Sequence, residues 1–168
     1  MPEPYPARAN RSNPVSVTLP PRLVLQIGGA FVRSALETPM LTGGCFCGEI
    51  RYEADGTPFH ETNCHCSICR RTTGAPFVTW FSVRRSDFWI VKGQPARFNS
   101  TKKGIRSFCS RCGTQLSFEH ADFTDEIDVT TSSLDDPESV PPRDNTHTSS
   151  RLRWFVPDGR PEYQESRE

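Results

Sequence analysis

From Met40 onward the apolar residues fall in short β-type runs separated by polar turn residues. The pattern predicts strands over residues 49–54 (EIRYEA), 77–83 (FVTWFSV), 88–92, 96–99, 105–108, 115–118 and 126–131, with a further strand-like segment just after Met40. Asp55-Gly56, Lys92-Gly93 and Lys103-Gly104 are dipeptides that tolerate positive φ and read as hairpin turns. One short helix is expected over residues 67–73, ended by Gly74 in a left-handed cap. Before Met40 the pattern is different. Leu23, Val24, Ile27, Phe31 and Leu36 have partly helical spacing that Gly28 and Gly29 interrupt, a frayed helix at best. The expected architecture is therefore all-β, with a domain over residues 40–156, a disordered or upstream extension over 1–39, and a loose C-terminal tail over 157–168.

Composition adds a constraint. Only 35% of the 168 residues are hydrophobic and 15 are proline, so burial alone is a thin source of stability for one domain. Lysine plus arginine and aspartate plus glutamate each number 20, and residues 40–168 hold sixteen of the former against eighteen of the latter. Such a balance does not suit a phosphate-backbone binder, and no nucleic-acid partner is expected. No apolar run is long enough for a membrane span, and the chain is expected to be cytoplasmic. The first forty residues carry seven prolines and four arginines but only two acidic residues, which fits disorder, a transit peptide, or an extension upstream of a start at Met40.

The seven cysteines change the picture. An odd number argues against a complete disulfide set, and they cluster as Cys45-x-Cys47, Cys64-x-Cys66-x-x-Cys69 and Cys109-x-x-Cys112. Cys45, Cys47, Cys109 and Cys112 form two close pairs beside glycines, the arrangement in which two backbone knuckles give a tetrahedral structural zinc its four thiolates. Zinc binding worth roughly 10 to 16 kcal/mol in small zinc domains would rival the roughly 5 to 15 kcal/mol of a whole domain. The other reading is buried reduced thiols. Cys64, Cys66 and Cys69 have no eighth cysteine to complete them, so they make either an open, catalytic-type zinc site or one closed by His65, His120, His147 or a carboxylate. An iron or iron–sulfur centre fits the tight C-x-C turn less well.

Three blocks, Gly-Gly-Cys-Phe-Cys-Gly-Glu-Ile-Arg-Tyr (43–52), Cys-His-Cys-Ser-Ile-Cys-Arg-Arg-Thr-Thr-Gly-Ala (64–75) and Phe-Cys-Ser-Arg-Cys-Gly-Thr-Gln-Leu (108–116), occur in order, followed by Pro142, His147 and Trp154. Over about residues 41–156 the chain resembles the glutathione-dependent formaldehyde-activating enzyme family, which includes centromere-protein-V-like proteins. The resemblance implies a zinc-stapled β-tent fold with two zincs per chain. It also implies structural ligands at Cys45, Cys47, Cys109 and Cys112 and a second, catalytic-type site at Cys64, Cys66 and Cys69. The implied activity is that of a carbon–sulfur lyase, joining glutathione or another thiol to an aldehyde or reversing that step. The alternative is a non-catalytic zinc scaffold for a macromolecular partner.

Around the middle cluster, His65 is expected to be a proton relay or a solvated or supporting histidine, and His147 to line the site or hold structure by hydrogen bonds. Arg70 and Arg71 would attract ligand carboxylates or balance thiolate charge. Phe77, Trp80, Phe81, Phe88 and Trp89 read as core, and Asp135, Asp136 and Glu138 as a solvated acidic loop.

Overall fold

Phe81 and Val83 alternate with Trp80 and Ser82, and Ile127 and Val129 alternate with Glu126 and Asp128. Successive side chains of a strand point to opposite faces, so these segments give one sheet an apolar face and a mixed face. The computed structural model describes residues 40–167; the expectations for residues 1–39 lie outside them. Strands β1 (Leu41–Gly44), β2 (Arg51–Ala54) and β5 (Phe88–Lys92) form an antiparallel sheet in that order. The larger sheet holds β3 (Phe59–Cys64), β4 (Val78–Arg84), β6 (Ala96–Asn99), β7 (Gly104–Phe108), β8 (Gln115–His120), β9 (Phe123–Thr130) and β10 (Asp144–Thr146). Its order is β10-β3-β4-β9-β8-β7-β6, antiparallel except between β10 and β3. With one helix, α1 (Ser67–Thr73), the described fold is all-β.

The apolar face of the larger sheet packs against the smaller one. Ile50, Tyr52, Ala54 and Phe88 meet Phe81, Val83, Leu116, Ile127 and Val129 in one buried cluster that also takes in Cys45 and Cys109. Fully burying a side chain of this size stabilises by roughly 1.5 to 3 kcal/mol. At the edge of this core the Tyr52 hydroxyl and Ser133 Oγ lie 2.7 Å apart, and the ring passes so close to Gly43 that a Cβ there would fall 2.3 Å from the hydroxyl oxygen. Tyr52→Phe keeps the packing and loses only the hydrogen bond. We expect it to lower stability by about 1 kcal/mol, read as a shift in denaturant midpoint at unchanged m-value.

The predicted strands at 88–92 and 96–99 and the helix over 67–73 form over the same residues, and Gly74 caps the helix at φ 68° with its N–H on Arg70 O at 2.8 Å. Two strands were not predicted. Along β3 (FHETNC) and β10 (DNT) nearly every residue is polar, because these strands pair with each other at the polar end of the sheet instead of facing the core. Part of the expected loose tail runs beside β10. Asn145 N–H donates to Pro161 O (2.9 Å), Tyr163 N–H to Asn145 O (2.8 Å), and Arg167 donates to both carboxylate oxygens of Asp144 (2.6 and 2.9 Å). These contacts satisfy backbone groups that an edge strand would otherwise leave unpaired.

Candidate metal centres and their cavity

At one end of the inter-sheet core two turns converge. Gly48 N–H bonds to Cys45 O at 3.0 Å and Gly113 N–H to Cys109 O at 2.8 Å, with both glycines left-handed at φ 72° and 79°. Each turn closes again five residues on, Cys45 N–H to Ile50 O (3.0 Å) and Cys109 N–H to Thr114 O (2.9 Å). The turns bring the sulfurs of Cys45, Cys47, Cys109 and Cys112 within 4.8 Å of one another. Cys45 Sγ and Cys47 Sγ are 3.5 Å apart, and Cys47 Sγ and Cys109 Sγ 3.7 Å. A tetrahedron with Zn–S bonds of about 2.3 Å has S–S edges of about 3.8 Å, so the cluster fits a zinc ion; it is far too open for a disulfide. Ile50 N–H also donates to Cys45 Sγ at 3.2 Å, as suits a thiolate. The Thr114 hydroxyl pulls Cys112 down to about 6.

The second cluster lies on the opposite face of the larger sheet. Cys64 ends β3, and Cys66 caps α1, its sulfur accepting the Cys69 N–H at 3.2 Å. The three sulfurs fall within 4.8 Å of one another, and among the described residues no histidine, aspartate, glutamate or further cysteine joins them. They cannot all ionise at this spacing. Hydrogen bonds from the Cys64 and Cys69 thiols hold Cys66 well below the ordinary thiol range, and the same bond to Cys66 pushes Cys64 far above it. A divalent cation would release the remaining protons, so this donor set also fits zinc.

The three thiols open on a cavity of about 630 Å³. Its floor is the mixed face of the sheet, with Thr62 from β3, Trp80 and Ser82 from β4, Arg106 from β7, Phe118 from β8 and Asp128 from β9. None of the four cysteines of the first cluster lines it. Arg106 is 6% exposed; its Nη2 donates to Cys69 Sγ at 3.4 Å, and its guanidinium carbon lies 4.7 Å from the Phe118 ring centre and 5.7 Å from that of Trp80. A buried cation beside a thiol cluster suits the negative charge of three thiolates around a divalent metal.

Asp128 lies on the same floor. Ser82 Oγ donates to its Oδ1 at 2.6 Å, and burial pushes the carboxyl up to about 6 against that hydrogen bond. The sign follows. The folded state keeps this proton to higher pH than the unfolded chain, so its contribution to stability is fully present below about pH 4 and is lost as pH rises through about 6. Asp128→Asn retains an acceptor for Ser82 and removes the charge. We expect it to raise stability at pH 8, by at most about 3 kcal/mol, and to leave it unchanged below pH 4, read as melting temperature against pH.

The structure places the other expected residues unevenly. His147 lines the cavity; its backbone is left-handed at φ 54°, and its Nδ1 lies 3.5 Å from a Glu165 carboxylate oxygen. His65 does not line it. It is fully buried between Phe77 and Phe155 with Nε2 2.9 Å from Asn145 Oδ1, a packed histidine and not a solvated one. Arg70 and Arg71 are absent from the lining, where Arg106 stands instead. Among the aromatics read as core, Phe81 and Phe88 are, while Trp80 walls the cavity and Trp89 is 43% exposed. Asp135 is ion-paired to Arg51 and accepts from Thr42 Oγ1, so it ties β2 to the loop rather than standing alone in solvent. Sequence reasoning missed Arg106 and Asp128; the signal available was a charged residue flanked two positions away or next door by apolar ones, Ile105-Arg106 in β7 and Ile127-Asp128-Val129 in β9. Among the described residues, no helix is long and apolar enough to cross a membrane.

The profile of the family described as glutathione-dependent formaldehyde-activating enzyme matches residues 40–150. A Halomonas elongata protein provisionally named a glutathione-dependent formaldehyde-activating enzyme is 33% identical over 85 residues, 46% of this chain and 54% of that protein. A Schizosaccharomyces pombe protein named an uncharacterized lyase is 29% identical over 82 residues, 49% of this chain and 59% of that protein. The chain thus spans little more than half the length of these curated relatives. A crystal structure of a Rhodobacter sphaeroides protein aligns with a TM-score of 0.45 and 21% identity, over 73% of this chain and 98% of that one.

Proposed function

Because this chain belongs to the glutathione-dependent formaldehyde-activating enzyme family, we propose that it is a zinc-dependent enzyme of carbon–sulfur lyase type, adding a thiol such as glutathione to an aldehyde or reversing that step. One observation carries the reading. The cluster of three thiols opens on a large cavity and finds no fourth protein ligand among the described residues, whereas the cluster of four does not line that cavity. A closed set of four thiolates suits a staple, and an open set of three suits chemistry. Residues 40–156 are taken as the zinc-bearing domain, with the segment beyond them completing one cavity wall through Glu165, Ser166 and Arg167. Seven free cysteines suit a reducing compartment, which supports a cytoplasmic setting for the reaction.

Cys64, Cys66 and Cys69 would hold the second zinc, which when bound supplies a Lewis-acid position where a thiol ionises near neutral pH. The rest is the work of the protein's own side chains. Arg106 offsets the charge of the thiolates from Cys69's side. Trp80, Phe118, Ile68 and Phe123 wall the space where the aldehyde carbon would meet the sulfur, and such walls exclude water that would compete as nucleophile. The test is the rate of hemithioacetal formation from thiol and aldehyde, followed by exchange spectroscopy with the zinc-loaded full chain. Acceleration above the spontaneous rate that is lost with the metal is expected. A rate equal to the spontaneous one would overturn the reading.

A further inference from the structure

Addition of a thiol to an aldehyde moves one proton from sulfur to oxygen, and the histidine and carboxyl groups that line the cavity with the three thiols are His60, His120, His147, Glu126, Asp128 and Glu165. His65 faces away into a packed aromatic nest. His147, near enough to Cys66 to favour its thiolate, stands beside Glu165, while His60 stands beside Glu126 and His120 beside Asp122. On the floor stands the carboxyl group of Asp128, at the middle of the sheet with β4 on one side and β8 on the other, two residues from Glu126 on the same face. Its Oδ1 is held by the Ser82 hydroxyl at 2.6 Å, and no hydrogen bond is made to its Oδ2 among the described residues. We infer that Asp128 is the proton-transferring residue of this site, held by Ser82 with its second oxygen turned to the bound thiol and aldehyde; the assignment rests on the thiol–aldehyde reading above.

The chemistry balances with this one group. The S–H bond of the incoming thiol breaks and its proton passes to Asp128. The sulfur lone pair forms the S–C bond while the carbonyl π pair moves onto oxygen, and Asp128 returns the same proton to that oxygen. Nothing is oxidised or reduced, and the reverse step uses the carboxylate first as base toward the hydroxyl. The charged and titratable groups around Asp128 are Glu126 on its own strand, His60 on β3, Arg106 on β7 and His120 on β8. Glu126 favours the protonated carboxyl, and His60 and Arg106 oppose it. A carboxyl pushed up to about 6 titrates close to neutral pH, where a general acid–base works best.

The experiment compares zinc-loaded full-length wild type with Asp128→Asn and Asp128→Glu in thiol–aldehyde addition across pH, with zinc content and melting of each measured alongside. For Asp128→Asn the expected result is a fall in kcat of about 10²- to 10⁴-fold with the KM for thiol little changed, loss of the acid limb near pH 6, and unchanged zinc content. Asp128→Glu should restore part of kcat. Thiol binding measured by calorimetry in two buffers of different ionisation enthalpy gives a readout without turnover: near pH 6, where Asp128 is partly ionised, the wild type retains part of the thiol proton, and Asp128→Asn releases all of it to the buffer. Wild-type kcat and an intact acid limb in Asp128→Asn, equal proton release by both proteins, or loss of zinc from the variant would each overturn the assignment while leaving the reaction standing. A wild type that accelerates no addition at all would instead overturn the thiol–aldehyde reading, and this assignment with it.

Discussion

Cys109→Ser should leave a chain that no longer melts cooperatively and is recovered unfolded or aggregated, with the zinc of the four-thiol site gone. Cys109 is 1% exposed and sits in the same buried cluster as Ile50, Tyr52 and Phe81, so its sulfur is at once a ligand and a wall of the core. Its partners come from a turn more than sixty residues earlier, Cys47 Sγ lying 3.7 Å away, and a metal there closes a long loop of the unfolded chain. A structural zinc contributes roughly 10 to 16 kcal/mol of apparent folding energy in small domains, against a net stability of roughly 5 to 15 kcal/mol for a typical one. With so few hydrophobic residues the core has no reserve to absorb that loss. Circular-dichroism melting and elemental analysis check it together; an unchanged melting curve would mean that the four thiols are not a staple.

Cys66→Ser should do the opposite. The fold is expected to survive with its melting temperature nearly unchanged, while thiol-dependent turnover falls to the spontaneous rate. The core is packed against the other face of the larger sheet, and Cys66 is only half-buried. Its structural duty is to cap α1 by accepting the Cys69 N–H, and serine is among the best residues for that duty. What serine does not replace is a thiolate ligand. Absorption of the cobalt-substituted protein, titrated with thiol, reads the same difference directly: wild type should change its spectrum as the thiol reaches the metal, and the variant should not. Equal collapse of Cys66→Ser and Cys109→Ser would mean two structural sites.

Much of this was legible in the sequence because thiolate spacing and glycine placement are local signals. The partition of the cysteines into Cys45, Cys47, Cys109 and Cys112 against Cys64, Cys66 and Cys69 corresponds to the two clusters of the structure. The helix over 67–73 and its Gly74 cap follow from residues a few positions apart. The cavity was not legible, because its floor is drawn from five strands that become neighbours only when the sheet forms. Trp80 and Phe81 look alike in the sequence, and only the pairing of β4 with β9 decides that one faces the cavity and the other the core. The strands β3 and β10 escaped notice for the same reason: their polar side chains serve a pocket and a paired tail, which hydrophobic periodicity does not register.

The central claim is two thiolate metal sites, one closed and one open. Elemental analysis of the full chain purified without chelator, with reactive thiols titrated in the same sample, tests it most directly. The account predicts two zincs per chain and few titratable thiols, with one of the two metals lost first as the pH falls, because its ligands must be deprotonated to hold it. One zinc per chain together with three reactive thiols would contradict it, leaving a stapled scaffold without a catalytic metal.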